Sequence, residues 1–292
     1  MEKIKGVYTA IVTPFKADGS INWSQLKKLV DYNIAGGVDG IVPMGTTGEN
    51  PTLSEEEHKE VIKKTIEFVD ARIKVIAGAG SNCTKTAVKF TKFAKSVGAD
   101  AVLSVNPYYN KPTQEGLFKH FSAIADIGIP VVVYNIKGRT GVNVETKTLI
   151  KLAQNKNIVA VKEASGDIGQ IMDVIAQKPN DFSVLSGDDN MTYAICCLGG
   201  DGVISVASNI VPNRILKMVK FALDDDFENA KKMHYELLPL FKSIFIETNP
   251  IPIKSALAMK GLIEENYRLP LSKISAEKRE KFKKVLEKLR II

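Results

Sequence analysis

Short runs of apolar, mostly β-branched residues recur along most of the chain and alternate with segments whose apolar residues follow helical spacing. Runs that are apolar at nearly every position are typical of strands in a parallel sheet covered by helices. The eight predicted strands are Val7–Val12, Gly40–Met44, Lys74–Ala79, Ala101–Val105, Val131–Tyr134, Ile158–Val161, Phe182–Leu185 and Gly202–Val206. The helical segments between them include Trp23–Ala35, Glu55–Val69, Thr86–Val97, Gln114–Ala125 and Asn213–Leu223.

Eight strand–helix units within about 225 residues fit a closed (β/α)8 TIM barrel, an α/β fold whose typical size is about 250 residues. An open doubly wound sheet is the alternative. The sequence disfavours it because no G-x-G-x-x-G pattern follows a strand, and Gly78-Ala79-Gly80 lacks the third glycine. Ser54 and Glu57 have capping-box spacing and predict the start of the second helix.

The pattern changes after residue 225, where only helical spacing remains. The predicted helices are Phe227–Ile246, Ile253–Lys260 and Ala276–Leu289. Two prolines in Asn249–Pro252 predict an extended entry to the middle helix. We therefore predict a catalytic barrel over residues 1–225 and a C-terminal three-helix domain, a helical appendage on the barrel, over residues 226–292.

Composition and charge narrow the functional classes. The hydrophobic fraction of 45% indicates a globular protein with a sizeable core. The net charge of +7 could indicate a nucleic-acid binder, but the basic residues are scattered through amphipathic helices among glutamates, so no nucleic-acid partner is predicted. No apolar run approaches the roughly 20 residues of a membrane span, and the first residues leave no room for a signal peptide. Three cysteines, at positions 83, 196 and 197, are expected as reduced thiols in the cytoplasm.

A lysine at the carboxyl end of the sixth predicted strand is the first candidate for chemistry. Lys162 follows the apolar run Ile158–Val161, and the carboxyl ends of barrel strands form the active-site mouth. Burial disfavours the ammonium and lowers the lysine pKa, which yields a free amine able to attack a ketone. The alternative is a structural lysine paired with Glu163 or with a more distant carboxylate.

Further polar residues follow other strands. Gly45–Glu49 comes after the second strand, and its glycines and hydroxyls predict a tight turn able to hold a small carboxylate, with an ordinary strand–helix turn as the alternative. Tyr108 and Tyr109 lie in a proline-flanked loop after the fourth strand, and Tyr134 ends the fifth. Arg139 follows Tyr134, and a guanidinium can grip a carboxylate through two hydrogen bonds. Each of these residues alone could be structural, but together they indicate a site.

The remaining candidates predict no chemistry of their own. Ser186–Asp189, after the seventh strand, is predicted to be a turn that caps a helix starting near Asn190. His58, His120 and His234 lie on separate helices without ligand spacing, so no metal site is predicted.

Five motifs resemble the dihydrodipicolinate synthase and N-acetylneuraminate lyase superfamily, over essentially the whole chain. They occur in the family's order: G-T-T-G-E (Gly45–Glu49), Y-Y-N-K-P-T-Q-E-G (Tyr108–Gly116), V-K-E-A-S-G (Val161–Gly166), G-V-I-S-V (Gly202–Val206) and N-P-I-P-I-K (Asn249–Lys254). The resemblance implies an enzyme that forms a Schiff base between a lysine and pyruvate, with no cofactor and no metal.

The resemblance also implies a role for each matching residue. The implied catalytic residues are Lys162, Tyr134, Thr46 and Tyr109, and the implied substrate-binding residues are Thr47, Arg139, Ile204 and Gly187. Lys162 would form the Schiff base, and Tyr134, Thr46 and Tyr109 would relay protons. In this family the tyrosine at the position of Tyr109 comes from a neighbouring subunit, which implies a homo-oligomer, a tetramer built from tight dimers.

Within the superfamily, this chain has the features of the synthases. These are Thr-Thr in the first loop, Tyr-Tyr-Asn in the next, and Arg139, which would bind the carboxylate of aspartate semialdehyde. The expected reaction is therefore condensation of pyruvate with aspartate 4-semialdehyde in lysine and diaminopimelate biosynthesis. The alternatives are N-acetylneuraminate lyase, a 2-keto-3-deoxy sugar acid aldolase or a non-catalytic relative.

Two departures from the family pattern bear on these expectations. Lys137-Gly138 replaces the Val-Pro-containing stretch before the arginine, which predicts a freer loop around the second substrate. Glu55 and Thr86 stand where lysine-inhibited members carry a histidine and a glutamate, although His58, Asn82 and Tyr108 match that regulatory pocket. We therefore expect weak or absent inhibition by lysine.

Overall fold

The computed structural model describes residues 3–292 and contains a closed barrel of eight parallel strands. Each strand pairs with the next one along the chain, and the eighth closes the barrel on the first. The strands are β1 (Gly6–Ala10), β2 (Gly40–Val42), β3 (Lys74–Gly78), β4 (Ala101–Val105), β5 (Val131–Asn135), β6 (Ile158–Glu163), β7 (Ser183–Ser186) and β8 (Gly202–Ser205). The predicted (β/α)8 barrel is confirmed, and the open sheet is excluded.

Helices surround the barrel and continue beyond its last strand. They are α1 (Trp23–Ala35), α2 (Glu55–Val69), α3 (Thr84–Ser96), α4 (Gln114–Ala125), α5 (Lys137–Thr140), α6 (Thr146–Leu152), α7 (Ile168–Gln177), α8 (Thr192–Cys197), α9 (Pro212–Leu223), α10 (Phe227–Ser243), α11 (Ile251–Met259) and α12 (Ala276–Lys288). The predicted capping box at Ser54 and Glu57 is confirmed. Within residues 3–292, none of these helices has both the length and the apolar character that a membrane span needs.

Two apolar layers meet at the barrel wall, one inside it and one between the strands and the helices. Alternate residues of a strand point to opposite faces. In β6, Ala160 belongs to the inner layer and Val161 to the outer one. Lys162, two positions after Ala160, therefore points into the barrel. The inner layer also contains Tyr8, Val42, Ile76, Leu103, Val132, Tyr134, Leu185 and Ile204.

The three C-terminal helices share the outer core with the barrel. Leu237 of α10, Leu257 of α11 and Phe282 of α12 belong to the same buried cluster as the outward-facing strand residues. The division into residues 1–225 and 226–292 stays a prediction, and the observed packing joins the two parts by one continuous hydrophobic cluster.

The start of α11 differs from the predicted one. An extended entry was expected through Pro252, but the helix already begins at Ile251 and contains Pro252 in its first turn. The prediction was wrong because the N–H groups of a first helical turn have no partner within the helix, so a proline there breaks no hydrogen bond.

Candidate active site

Lys162 and Tyr134 lie side by side at the carboxyl end of the barrel. The two residues are paired in the register of β5 and β6, and the Lys162 Nζ atom lies 4.2 Å from the centre of the Tyr134 ring. Both side chains are buried, with 5% of each residue exposed. Glu163, the partner that a structural lysine could have used, points to the other face and binds the Asn135 amide and the Ser165 N–H.

The surroundings of Lys162 increase the fraction of its neutral amine. Burial lowers the pKa of Lys162 to about 8, because removal of water destabilises the ammonium. The carboxylates of Asp188 and Asp189 oppose this effect, whereas the guanidinium of Arg139 adds to it. Desolvation is the largest of these influences, so a useful fraction of the amine is uncharged near neutral pH.

Tyr134 is held as a neutral phenol. Burial raises its pKa above the ordinary tyrosine value, and the guanidinium of Arg139 and the nearby Thr46 hydroxyl only partly offset this. A buried phenol that remains protonated and touches a second hydroxyl can donate a proton to a reacting atom and recover one through its neighbour. Thr46 and Tyr134 are therefore brought together, as expected for a proton relay.

The Gly45–Glu49 segment forms a single 3-10 turn at Thr46–Gly48 after β2. The Thr47 side chain is buried and its hydroxyl accepts a hydrogen bond from the Asn249 amide at 3.0 Å. A tight turn was predicted from its glycines, yet the left-handed backbone angles fall on Met44 (φ 59°) and Glu49 (φ 56°). The turn therefore depends on outside contacts that hold two non-glycine residues in a disfavoured conformation.

A cavity of about 220 Å³ opens beside Tyr134. Thr46, Tyr108, Tyr134 and Arg139 line it. A guanidinium Nη2 atom of Arg139 donates to the backbone carbonyl of Asn249 at 3.1 Å. The cavity thus joins a phenol and a hydroxyl to a fixed positive charge, a combination suited to a small anionic substrate.

The backbone around Arg139 differs from the prediction. A freer loop was expected at Lys137-Gly138, but Lys137–Thr140 forms the short helix α5. The hydroxyl and the N–H of Thr140 both donate to the Ile136 carbonyl, at 2.8 and 3.1 Å. These local hydrogen bonds order the segment without a proline.

Gly187 and Ile204 complete the wall beside the lysine. The Gly187 N–H donates to the Glu163 carbonyl at 2.7 Å. A Cβ atom at position 187 would lie 2.7 Å from the Ala164 Cβ atom and 3.1 Å from the Lys162 Cε atom. Only a glycine allows this close approach. Ile204 is fully buried in the inner layer of the barrel, in the strand next to Gly187.

Tyr109 does not join the other predicted residues within the protomer. Its residue surface is 90% exposed, and its backbone adopts a left-handed conformation with φ 72°. The neighbouring Tyr108 lines the cavity instead. A large exposed aromatic side chain held in this way is available to a second subunit.

Three residues near the site were not predicted from the sequence to act there. Asp188 and Asp189 influence the Lys162 pKa, and Asn249 contacts Thr47 and Arg139. The Ser186–Asp189 turn was expected to cap a helix, but the Asp189 carboxylate accepts hydrogen bonds from the Ser205 hydroxyl and from the N–H groups of Val206 and Ala207. It thereby orders the chain after β8. The N-P-I-P-I-K motif was the available signal for Asn249.

The residues around the expected regulatory pocket are engaged with one another. The buried His58 ring donates from Nε2 to the Gly78 carbonyl at 2.8 Å and stacks on Phe90. Glu55 binds Lys59 and Lys89, each at 2.6 Å.

In the described part of the chain, no group of three or more histidine, cysteine or acidic side chains is arranged to hold a metal ion.

Comparison with known proteins is consistent with this site. A model of the dihydrodipicolinate synthetase family matches residues 3–289. The chain is 52% identical over 290 residues to 4-hydroxy-tetrahydrodipicolinate synthase of Methanocaldococcus jannaschii, with 99% of both chains covered. It is 51% identical over 288 residues to the enzyme of the same name from Leptospira biflexa, with 98% of both covered. Chloride-inhibited dihydrodipicolinate synthase from Acinetobacter baumannii, solved with pyruvate, has a TM-score of 0.98 and 44% identity, covering 99% of this chain and 100% of that one. The resemblance of the five motifs is confirmed, and the chain belongs to the dihydrodipicolinate synthetase family.

Proposed function

We propose that this protein condenses pyruvate with aspartate 4-semialdehyde to give 4-hydroxy-tetrahydrodipicolinate, in lysine and diaminopimelate biosynthesis. The observation that carries the proposal is the buried amine of Lys162, directed into the barrel mouth beside Tyr134. The full-length relatives bear the name of this activity, and one relative has been solved with pyruvate. No feature of the site favours the sugar-acid aldolase alternatives.

The first half of the reaction makes a nucleophile from pyruvate. The neutral amine of Lys162 attacks the keto carbon, and loss of water gives an iminium that acts as an electron sink. Removal of a methyl proton then yields an enamine. Tyr134 supplies the proton that leaves with water, and Thr46 connects its hydroxyl to the rest of the relay. Thr46, Thr47 and the carbonyl of Ile204 are proposed to surround the pyruvate carboxylate.

The second half joins the enamine to the aldehyde. The enamine carbon attacks the aldehyde carbon of aspartate semialdehyde, and the new alkoxide takes a proton. The amino group of the product then displaces Lys162 from the former keto carbon, which closes the ring and frees the enzyme. Arg139 lines the cavity beside Tyr134 and is proposed to bind the aldehyde's carboxylate. The missing side chain at Gly187 leaves room next to Lys162.

We further propose that the active enzyme is a homo-oligomer, a tetramer of tight dimers, in which Tyr109 completes the site of the neighbouring subunit. Its exposure supports this. Complementation tests it, because a hybrid of Lys162→Arg and Tyr109→Phe subunits would contain one site with both native residues. Recovered activity in the mixture is expected. A mixture as inactive as its parents would refute donation of Tyr109 between subunits.

The cytoplasmic location stays a prediction.

Borohydride trapping tests the proposed activity directly. With pyruvate and borohydride, the reduced adduct is expected on Lys162 alone, and Lys162→Arg is expected to abolish both adduct and turnover. A panel of aldehydes then identifies the second substrate, with aspartate semialdehyde expected to react fastest. An adduct on another lysine would contradict the mechanism, and preference for a sugar aldehyde would assign the enzyme to the aldolase branch.

A further inference from the structure

A six-residue segment of the C-terminal part, Asn249–Lys254, contacts the loop that carries Thr46 and Thr47 through its first and its last residue. We call this segment the strap. At its first residue, the Asn249 amide donates to the Thr47 hydroxyl at 3.0 Å. At its last residue, the Lys254 Nζ atom binds the Glu49 carboxylate at 2.5 Å. The strap therefore holds the loop at two points that flank Gly48.

The segment after β1 also contacts this loop. The Thr13 hydroxyl, just after β1, donates to the Gly48 carbonyl at 2.7 Å. The backbone carbonyl of Thr13 accepts a hydrogen bond from Lys254 Nζ at 3.1 Å. Lys254 thus ties together the segment after β1 and the segment after β2.

The Glu49–Lys254 pair is completely buried, with both side chains at 0% exposure. Burial lowers the Lys254 pKa, and the charge of Glu49 opposes that change. Removing two charges from water offsets most of their attraction, so a buried ion pair contributes little net stability compared with apolar residues of similar size. The pair is therefore better explained by the geometry that it imposes. Glu49 is one of the two residues that this loop holds in a left-handed conformation.

The strap also reaches the residue proposed to bind the second substrate. The backbone carbonyl of Asn249 accepts the hydrogen bond from Arg139. The same residue thus contacts Thr47 through its side chain and Arg139 through its main chain. Its Oδ1 atom is buried and has no hydrogen-bond partner among residues 3–292, so the amide orientation is determined by the bond to Thr47.

We propose that Lys254 and Asn249 are positioning residues of the strap, which sets the geometry of the Thr46–Thr47 loop for pyruvate. The inference rests on the proposed function, which it deepens by assigning the pyruvate geometry to residues that do not touch the substrate. The side chains of Asn249 and Lys254 contact the Thr46–Thr47 loop, whereas Arg139 is bound by the main-chain carbonyl of Asn249. Loss of the side chains therefore affects pyruvate more strongly than the aldehyde.

The double variant E49Q/K254M tests the ion pair without leaving one buried charge alone. We expect the pyruvate KM to rise at least about tenfold and Schiff-base trapping to slow in parallel, with the KM for aspartate semialdehyde changed less than about twofold. Lys178→Met is the matched control, since Lys178 is a partly buried lysine bound to the Phe182 carbonyl at the opposite end of the barrel. It is expected to lower the melting temperature without changing either KM.

Asn249→Leu provides a second test if the double variant does not fold. It removes the bond to Thr47 and an unpartnered buried oxygen, and it keeps the main-chain carbonyl that binds Arg139. Loss of one hydrogen bond predicts a rise in the pyruvate KM of about fivefold to tenfold. An unchanged pyruvate KM in a folded variant would overturn the inference. Absence of any pyruvate adduct in the unmodified protein would instead refute the proposed function.

Discussion

Replacing Asp188 by asparagine changes the electrostatic surroundings of Lys162 without altering the shape of the loop after β7. The Asp188 carboxylate raises the pKa of Lys162, whereas burial lowers it more strongly and leaves it at about 8. Removing the carboxylate therefore lowers the Lys162 pKa further. Since only the neutral amine attacks pyruvate, the rate of trapping rises with pH up to this pKa and is constant above it. We expect the acid limb to move to lower pH in D188N.

The magnitude follows from the fraction of neutral amine. With a pKa of about 8, about one Lys162 side chain in ten is neutral at pH 7, whereas an ordinary lysine would be neutral in roughly three molecules in ten thousand. The surroundings of Lys162 thus increase the fraction of neutral amine at pH 7 about 300-fold. Loss of the Asp188 charge can add at most the remaining factor of about ten at pH 7 and nothing at high pH.

The assay is the initial rate of borohydride-dependent labelling by pyruvate, followed by mass spectrometry from about pH 6 to about pH 10. Asp181→Asn is the control, because Asp181 is exposed and precedes β7 at the opposite end of the barrel. It is expected to leave the profile unchanged. A midpoint in D188N that stays in place or moves to higher pH would refute the account of the Lys162 surroundings.

Three further predictions concern the walls of the site. Gly187→Ala would place a Cβ atom 2.7 Å from the Ala164 Cβ atom and 3.1 Å from Lys162 Cε, so turnover is expected to fall at least about tenfold. Gly138→Ala is expected to be nearly neutral, because its Cβ would meet no atom of residues 3–292 within 4 Å, and equal kinetics of the two variants would contradict the close packing. Arg139→Leu removes a charged contact worth about 1.5–3 kcal/mol, so the KM for aspartate semialdehyde is expected to rise about tenfold or more. The rate of labelling by pyruvate is expected to stay the same, and slower labelling would show that Arg139 binds pyruvate instead. Free lysine at about millimolar concentration is expected to inhibit initial rates little or not at all, because the Glu55 carboxylate is already paired with the side chains of Lys59 and Lys89. Strong inhibition would disprove this.

The barrel could be predicted because its strands are buried on both faces and stand out as apolar runs. The same property hides which residues face inward, because such a strand shows no alternation of apolar and polar positions. Lys162 could therefore be identified as an unusual residue at a strand end, but its direction became clear only from the layers to which Ala160 and Val161 belong.

Contacts between distant parts of the chain set the limit of prediction for the site. Asn249 bonds to a residue 202 positions earlier, and Lys254 to one 205 positions earlier. No local spacing encodes such partners. Asp189 shows the same limit, because an aspartate after a strand suits a helix cap, whereas its actual partners lie on the next strand and the turn that follows it. The local sequence also predicted a freer loop where α5 lies, because the absence of a proline does not reveal the hydrogen bonds from Thr140 to the Ile136 carbonyl.

The strap has a consequence for the order in which the enzyme matures during synthesis. When the ribosome has completed β8, every residue proposed to touch pyruvate within one subunit has been made, yet Asn249 and Lys254 have not. The nascent barrel therefore lacks the groups that hold Thr47 and Glu49, so the keto acid is expected to bind with full affinity only after the C-terminal helices have docked.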